Sequence, residues 1–272
     1  MTGERLRNLT CQALGLVPYR EGLLLQERLV AARTAGRIGD MLVLLEHPPV
    51  LTVGRGASEG GIIAAEATLA RLGLEVVPVS RGGDVTWHGP GQLVGYPICD
   101  LSLQGRDLHR FLRGLESGLR NTLKRWAVEA HRISGRTGVW VGDRKIASIG
   151  IAVRGWVSYH GFAINVNPDL SHFDLIHPCG LRGVRMTSLA ELLGGRCPTL
   201  SEVRAAAGEE VAVALGYDGL EWSTEAARLD ERVERTPVDP LDRAGADRRC
   251  QAGRSTMTWT TDTAADSRGG RS

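Results

Sequence analysis

Cys179 stands in the stretch FDLIHPCGLRG, residues 173–183, between a proline and a glycine. Pro178 biases His177 toward an extended backbone, and Gly180 frees the next pair of dihedral angles. Neither helix nor strand is favoured there, so the sequence predicts a fixed, exposed bend. Such a bend is a suitable mount for a reactive thiol, which acts as a nucleophile in its thiolate form.

Lysine is rare in this chain, because only Lys124 and Lys145 are lysines among its 33 basic residues. Unlike arginine, lysine can lose its proton at an accessible pH. Lys124 lies just off the apolar stripe of a predicted helix and is interpreted as a solvated charge. Lys145 begins a predicted strand, and alternation predicts that it shares an inward face with Ala147 and Ile149.

An inward lysine is costly to bury unless it is paired or neutral. Two explanations therefore stay open for Lys145: it snorkels at the edge of the sheet, or it pairs with Cys179. In such a pair the ammonium favours the thiolate, and the amine accepts a proton from an incoming nucleophile.

After Cys179 and Lys145, a third candidate for part of a functional site is the segment RGGDVTWHGPGQ, residues 81–92. Its glycines let backbone N–H groups approach a ligand closely. It matches neither a phosphate-binding P-loop nor a dinucleotide fingerprint. Arg81, Asp84 and His88 add a cation, a carboxylate and a possible acid–base group, although His88 fits a packed structural role equally well.

The other cysteines suggest neither disulfides nor a metal site. The five cysteines are widely spaced without a C-x-x-C pair, which argues against a disulfide framework and a zinc site. His172, His177 and Cys179 are too irregularly spaced for a zinc pattern, so no metal is expected. The remaining four are interpreted as two core residues, one loop residue and one exposed thiol: Cys11, Cys99, Cys197 and Cys250.

Periodicity indicates the elements that must position these residues. Helices are predicted from Tyr19 to near Gly36, over 64–73, after an Asp107 cap, and after a Thr199–Glu202 capping box. A strand–turn–strand is predicted around Pro48-Pro49, a strand over 74–80, and a three-strand antiparallel meander over 138–167.

Length and composition bound the remaining possibilities. At 272 residues and 42% hydrophobic content, the chain has the composition of an ordinary α/β globular protein. The predicted division is one catalytic domain over 1–225 and a disordered tail over 226–272. No secretory signal and no bilayer-length apolar run are found, so a cytoplasmic protein is expected. A net charge of +2 gives no reason to expect a nucleic-acid partner.

Four segments in order, RGGDVTWHGPGQLVGYPI, RKIASIGIAV, SYHGFAINVNPDLSHFDLIHPCG and GVRMTSL, resemble the lipoyl(octanoyl) transferase family. The resemblance runs from about residue 12 to 217, and Trp87 stands where Tyr is frequent. It implies a mixed α/β (α+β) fold like that of biotin and lipoate protein ligases. A large and a small, mostly antiparallel sheet would be flanked by helices.

The resemblance also implies a reaction, octanoyl transfer from an acyl carrier protein to a lysine of a lipoyl domain. Cys179 matches the family's nucleophile and Lys145 its partner. The acceptors would be lipoyl domains of 2-oxoacid dehydrogenase complexes and the glycine cleavage H protein. The donor carries phosphopantetheine, and no ATP, metal or other cofactor is implied. The matching acyl-pocket residues are Arg81, Gly82, Gly83, Asp84, Val85, Thr86, Trp87, His88, Ser148, Ile149, Gly150, Gly161, Phe162 and Ala163.

Alternatives remain at this stage. An ATP-dependent lipoate or biotin ligase of the same fold would need no nucleophilic cysteine, and a lipoyl amidotransferase would use a different donor. A non-catalytic carrier-binding module would leave Cys179 inert. A thiol protease would need a histidine base, and His177 is poorly placed because it is two residues away on the same bend.

Overall fold

The computed structural model describes residues 7–58, 60–177 and 184–223. Cys179, Cys250 and the predicted tail lie outside the described residues. The described strands are β1 Asn8–Leu16, β2 Met41–Glu46, β3 Val50–Val53, β4 Glu75–Pro78, β5 Val85–His88, β6 Gln92–Ile98, β7 His131–Ile133, β8 Arg136–Val141, β9 Arg144–Arg154, β10 Val157–Asn165, β11 Arg185–Met186 and β12 Gly219–Trp222. The described α-helices are α1 Tyr19–Thr34, α2 Glu66–Arg71, α3 Leu108–Lys124, α4 Leu189–Leu193 and α5 Leu200–Ala214.

The large sheet has the order β12-β1-β2-β6-β10-β9-β8-β7, with β11 paired to β9. It is mostly antiparallel, as predicted, and β8, β9 and β10 form the predicted meander. Parallel pairing is confined to the β12-β1-β2 end and to β11. Within this sheet, β6 and β10 lie in the middle and are buried along their whole length.

Both faces of these central strands are covered, because successive side chains point to opposite sides. Phe162 and Ile164 pack in the core under α3 and α5. Tyr159 and Ala163 pack in the core under α1. The predicted helices and their caps are confirmed: the Asp107 side chain caps α3, and Thr199 and Glu202 form the capping box of α5.

The small sheet has the order β4-β3-β5, with one parallel and one antiparallel pair. The predicted strand–turn–strand around Pro48 exists, but its two strands belong to different sheets. The turn therefore carries the chain from the large sheet to the small one. Leu51 and Trp87 bury one face of the small sheet against Phe173 and Ile176.

No helix among the described residues is both long enough and apolar enough to cross a bilayer.

Helices α3 and α5 approach closely at Gly118. A β-carbon at this position would lie 2.8 Å from Val211 Cα and 3.0 Å from the Glu210 carbonyl oxygen. Both are backbone atoms, so relief requires a helix to move. The sequence uses glycine here despite its poor helix propensity, because only hydrogen fits.

We expect Gly118→Ala to destabilise the protein by about 1–2 kcal/mol, since overpacking outweighs the gain of about 1 kcal/mol in helix propensity. Asn121→Ala, at an exposed position of the same helix, is the matched control and should be neutral or stabilising. Urea unfolding of both variants measures the difference. A stabilised Gly118→Ala would contradict the close packing.

Candidate active site

A pocket of about 520 Å³, counting its open mouth, lies between the Gly-rich loop and the large sheet. Its walls come from the 81–84 loop, β5, β6, β9 and β10. The lining residues are Tyr19, Arg81, Gly82, Gly83, Asp84, Val85, Thr86, His88, Val94, Tyr96, Lys145, Ser148, Ile149, Gly150, His160, Gly161, Phe162 and Ala163.

The pocket collects the residues that the sequence singled out. Of the sixteen predicted site residues, all but Trp87 and Cys179 line it. Cys179 lies outside the described residues. Trp87 is 1% exposed and its ring stacks on His172 at 4.9 Å and meets Phe173 edge-on at 5.5 Å. Trp87 therefore belongs to the core of the small sheet and, contrary to the prediction, does not line this pocket.

Lys145 is 2% exposed and lines the pocket, as Ile149 does, but the register does not place it on one face of β9 with Ala147. The cross-strand pairs are Val139↔Ala147 and Trp140↔Lys145, so Ile146 is an extra residue on β9. This β-bulge reverses the alternation. The Ala147 side chain joins the core under α3 and α5, whereas Lys145 faces the pocket. The predicted face was wrong because strand alternation assumes an unbroken ladder.

Arg81 fixes the Gly-rich loop from inside. Its guanidinium donates to the Thr52 carbonyl at 2.9 Å, to Thr52 Oγ1 at 2.8 Å and to the Gly82 carbonyl at 3.1 Å. The Gly82 N–H bonds the Ile151 carbonyl at 3.0 Å. At Gly150 a β-carbon would lie 2.8 Å from the Gly82 carbonyl oxygen. The loop thus sits directly on β9, and the absence of a side chain on Gly150 permits the approach.

His88 has a defined tautomer, because it begins a directed chain of hydrogen bonds. The Thr187 carbonyl can only accept, so Asn165 donates to it through Nδ2 at 2.9 Å. Asn165 Oδ1 then accepts from Gln92 Nε2 at 2.9 Å. Gln92 Oε1 in turn accepts from His88 Nδ1 at 2.7 Å. The proton is therefore on Nδ1, and Nε2 of His88 is an acceptor.

Several pocket residues went unnoticed in the sequence, among them Tyr19, Tyr96 and His160. The Tyr96 hydroxyl donates to His47 Nε2 at 2.6 Å. This direction follows because the Nδ1–H of the same ring donates to the Val17 carbonyl at 2.6 Å. His160 has a positive φ of 55° within a strand, a rare backbone conformation for a non-glycine residue. Tyr96 and His160 lie inside two of the segments that carry the family resemblance, whereas Tyr19 lies outside all four.

Burial keeps the histidines of this region neutral. Desolvation lowers the pKa of His47 to about 4, and desolvation followed by the charge of His47 lowers the pKa of His88 to about 3. Desolvation, with Arg81 as a smaller cause, lowers the pKa of His160 to about 3. At pH 7 all three present uncharged rings, so the pocket is weakly polar near them.

The described cysteines are poor nucleophiles, and none lines the pocket. Burial raises the pKa of the Cys11 thiol to about 12 and that of the Cys99 thiol further. Both were correctly interpreted as core residues. Desolvation also raises the pKa of the half-buried Cys197. Among the described residues, no three His, Cys, Asp or Glu side chains are grouped as metal ligands.

The described residues on either side of the segment that holds Cys179 contact residues in or next to the pocket wall. The His177 N–H donates to the Gly61 carbonyl at 2.8 Å, and a β-carbon on Gly61 would touch Asp84 and Val85. After Val184 the chain enters β11, where Met186 pairs with Lys145. His177 and Met186, described residues on either side of 178–183, are therefore tied to Gly61 and Lys145.

The lowered histidine pKa values predict an acid-sensitive stability. Because the unfolded imidazoles titrate near pH 6.5, unfolding takes up protons below that pH. Stability should therefore fall from about pH 6.5 toward pH 3, by about 1.4 kcal/mol per pH unit for each histidine. In His88→Asn, which keeps an N–H donor for Gln92, the loss between pH 7 and pH 4.5 should shrink by about 2–3 kcal/mol.

Urea unfolding at the two pH values measures this loss. His109→Asn, at an exposed position of α3, is the control and should follow the unsubstituted protein. An unchanged pH dependence in His88→Asn would show that His88 is not held neutral.

Comparison with known proteins identifies the family of the chain. Residues 18–212 match the family model for the lipoyl protein ligase A/B catalytic domain. An octanoyltransferase of Caldicellulosiruptor bescii is 53% identical over 183 residues, covering 66% of this chain and 80% of the relative. An octanoyltransferase of Geobacter sulfurreducens is 50% identical over 193 residues, covering 71% and 79%.

The fold of the chain is also similar to that of solved structures. A T. acidophilum structure, described as a candidate lipoate protein ligase, superposes with a TM-score of 0.65 at 18% identity, covering 84% of this chain and 93% of the other. At that identity only the fold is shared. The sequence matches go further, and the chain belongs to the lipoyl protein ligase A/B catalytic domain family, among its octanoyltransferases.

Proposed function

We propose that this protein transfers an octanoyl group from a thioester on an acyl carrier protein to a lysine of a lipoyl domain. Cys179 forms the acyl-enzyme and Lys145 is the general acid and base. The observation that carries the proposal is the buried Lys145 amine in the wall of a pocket with apolar sides. An amine in that position can exchange protons with both thiols and with the acceptor lysine.

The pocket suits an acyl chain rather than a charged substrate. Val94, Ile149, Phe162 and Ala163 supply apolar wall. The neighbouring histidines are neutral, and the Arg81 guanidinium is directed into the protein, toward Thr52. An eight-carbon chain would gain about 0.8 kcal/mol for each methylene removed from water.

The first half-reaction forms the acyl-enzyme. The Cys179 thiolate attacks the donor carbonyl, the bond between that carbon and the pantetheine sulfur breaks, and the Lys145 ammonium protonates the leaving thiolate. The three described cysteines, Cys11, Cys99 and Cys197, have raised pKa values, which supports Cys179 as the nucleophile. The flanking anchors, Gly61 and Lys145, support its placement at the pocket.

The second half-reaction forms the amide. The neutral amine of the acceptor lysine attacks the acyl carbon, and Cys179 leaves as a thiolate. The proton released by the attacking nitrogen passes to the Lys145 amine, which restores the ammonium. One thioester and one amine thus become one amide and one thiol, and the starting pair of charges is regenerated.

The partners follow from this chemistry. The donor is an octanoyl-acyl carrier protein, and the acceptors are lipoyl domains of 2-oxoacid dehydrogenase complexes and the glycine cleavage H protein. No ATP, metal or other cofactor enters the scheme, because a thioester is already activated.

An ATP-dependent ligase is the second candidate, since proteins of that kind share the fold. A ligase would use free octanoate and ATP, and a lipoyl amidotransferase would use a lipoylated protein as donor. Assays with each donor in turn, and in competition, separate the three. Activity with octanoate plus ATP, and none with octanoyl carrier protein, would overturn the proposal.

Cys179→Ala is expected to abolish the covalent octanoyl adduct, a mass increase of about 126 Da, because a methyl group cannot form a thioester. Intact mass spectrometry after incubation with octanoyl-acyl carrier protein measures the adduct. Cys197→Ala, at the half-buried loop cysteine, is the matched control and should keep it. Full turnover by Cys179→Ala would refute a covalent mechanism.

Lys145→Arg is expected to lower kcat by about 100-fold or more, although the positive charge survives, because arginine cannot release a proton at this pH. Steady-state kinetics with the carrier-protein donor and a lipoyl-domain acceptor measures kcat. Lys124→Arg, on the exposed end of α3, is the control. If Lys145→Arg kept full activity, the acid–base role would be wrong.

A further inference from the structure

Gly138, on β8, lies directly against the tip of Lys145. A β-carbon built on Gly138 would be 2.5 Å from Lys145 Cε, 3.2 Å from Nζ and 2.7 Å from the Ala147 carbonyl oxygen. Gly138 also has φ +127°, a conformation that side chains disfavour. The space occupied by the lysine tip therefore exists because position 138 has no side chain.

The bulge at Ile146 creates this contact. It places Lys145 opposite Trp140 on the pocket side of β8 and β9. Gly138 and Trp140 lie on the same strand, and both lie against the Lys145 side chain. The Lys145 amine lies 5.3 Å from the centre of the Trp140 ring, within the range of a cation–π contact. The aromatic ring and the bare glycine backbone thus border the amine along one strand.

Glu116, on α3, fixes the same point of β8. Its Oε1 accepts from the Gly138 N–H at 3.3 Å. The side chain is 1% exposed, and its Oε2 pairs with Arg113 at 2.6 Å and Arg132 at 2.9 Å. Arg132 also donates to Ser117 Oγ at 2.6 Å. A buried carboxylate is tolerated when it is paired in this way.

We propose that Gly138 and Glu116 are positioning residues for Lys145, Gly138 by leaving room for the amine and Glu116 by holding the Gly138 backbone in place. The proposal rests on the role proposed above for Lys145. Neither residue lines the pocket, so neither is expected to contact the substrate. Their effect should appear in the rate of the chemical steps and not in substrate binding.

The primary test is Gly138→Ala. Its methyl group and the lysine tip cannot occupy the same space, so the amine must move. We expect kcat to fall by about tenfold or more while KM stays within about twofold, since a displacement of about 1 Å at a catalytic group costs up to about 100-fold. Steady-state kinetics with octanoyl-acyl carrier protein and a lipoyl domain measures both constants.

Gly142→Ala is the matched control. Gly142 lies on the same hairpin with φ +58°, and no atom approaches its β-carbon position within 4 Å. It therefore introduces backbone strain without moving Lys145. We expect Gly142→Ala to lose stability in a thermal melt but to keep a kcat within about twofold of the unsubstituted protein. If Gly138→Ala were as active as Gly142→Ala, the proposal would fail.

Glu116 supplies a second and independent pair of variants. Glu116→Gln keeps an oxygen that can accept from the Gly138 N–H, whereas Glu116→Ala removes it. We expect the Gln variant to retain most of the kcat of the unsubstituted protein and the Ala variant to lose about fivefold or more, at unchanged KM. Equal kcat values for Gln and Ala would overturn the role of Glu116.

Lys145→Arg separates this inference from the proposed function. Full activity of Lys145→Arg would remove the role of Lys145 itself. An impaired Lys145→Arg beside a fully active Gly138→Ala would remove only the positioning role. If Gly138→Ala and Glu116→Ala both failed to fold, the cluster would act on stability alone, and the proposal would also fall.

Discussion

The burial of one amine is the constraint that organises this structure. Lys145 is almost inaccessible to solvent, and a charge in such a place is costly unless its surroundings favour it. An extra residue, Ile146, turns the side chain away from the apolar core. The Trp140 ring and the bare backbone of Gly138 then border the amine. The bulge, the glycine and the aromatic ring together form the surroundings of the Lys145 side chain.

The histidines beside the pocket complement this arrangement by being neutral. His47 and His88 each donate one ring N–H to a fixed oxygen, so each keeps a single acceptor nitrogen. Desolvation lowers their pKa values and that of His160, so His88 and His160, which line the pocket with Lys145, are uncharged at pH 7. A weakly polar wall also suits an acyl chain. In the proposed mechanism, the neutral histidines would leave the octanoyl chain a weakly polar wall and would not repel the Lys145 ammonium.

Local patterns in the sequence were enough for the helices and for the membership of the site. Apolar periodicity and caps located α1, α3 and α5, because these signals act within a few residues of each other. The motif segments brought fourteen of sixteen predicted residues to one pocket. Their roles in catalysis, including that of Cys179, were implied by resemblance and remain to be tested by substitution.

Tertiary structure alone decided how these residues are used. Strand alternation placed Lys145 with Ala147, and the bulge reversed it, because ladder irregularities depend on the partner strand β8. Trp87 lies in the core of the small sheet and not in the pocket, because its ring packs against Phe173, which is distant in sequence. The tautomer of His88 follows from a chain of hydrogen bonds that ends at Thr187. The sequence by itself determined which chemical groups are available; long-range contacts determined which way they face and whether they carry charge, since burial and pairing exist only in the folded chain.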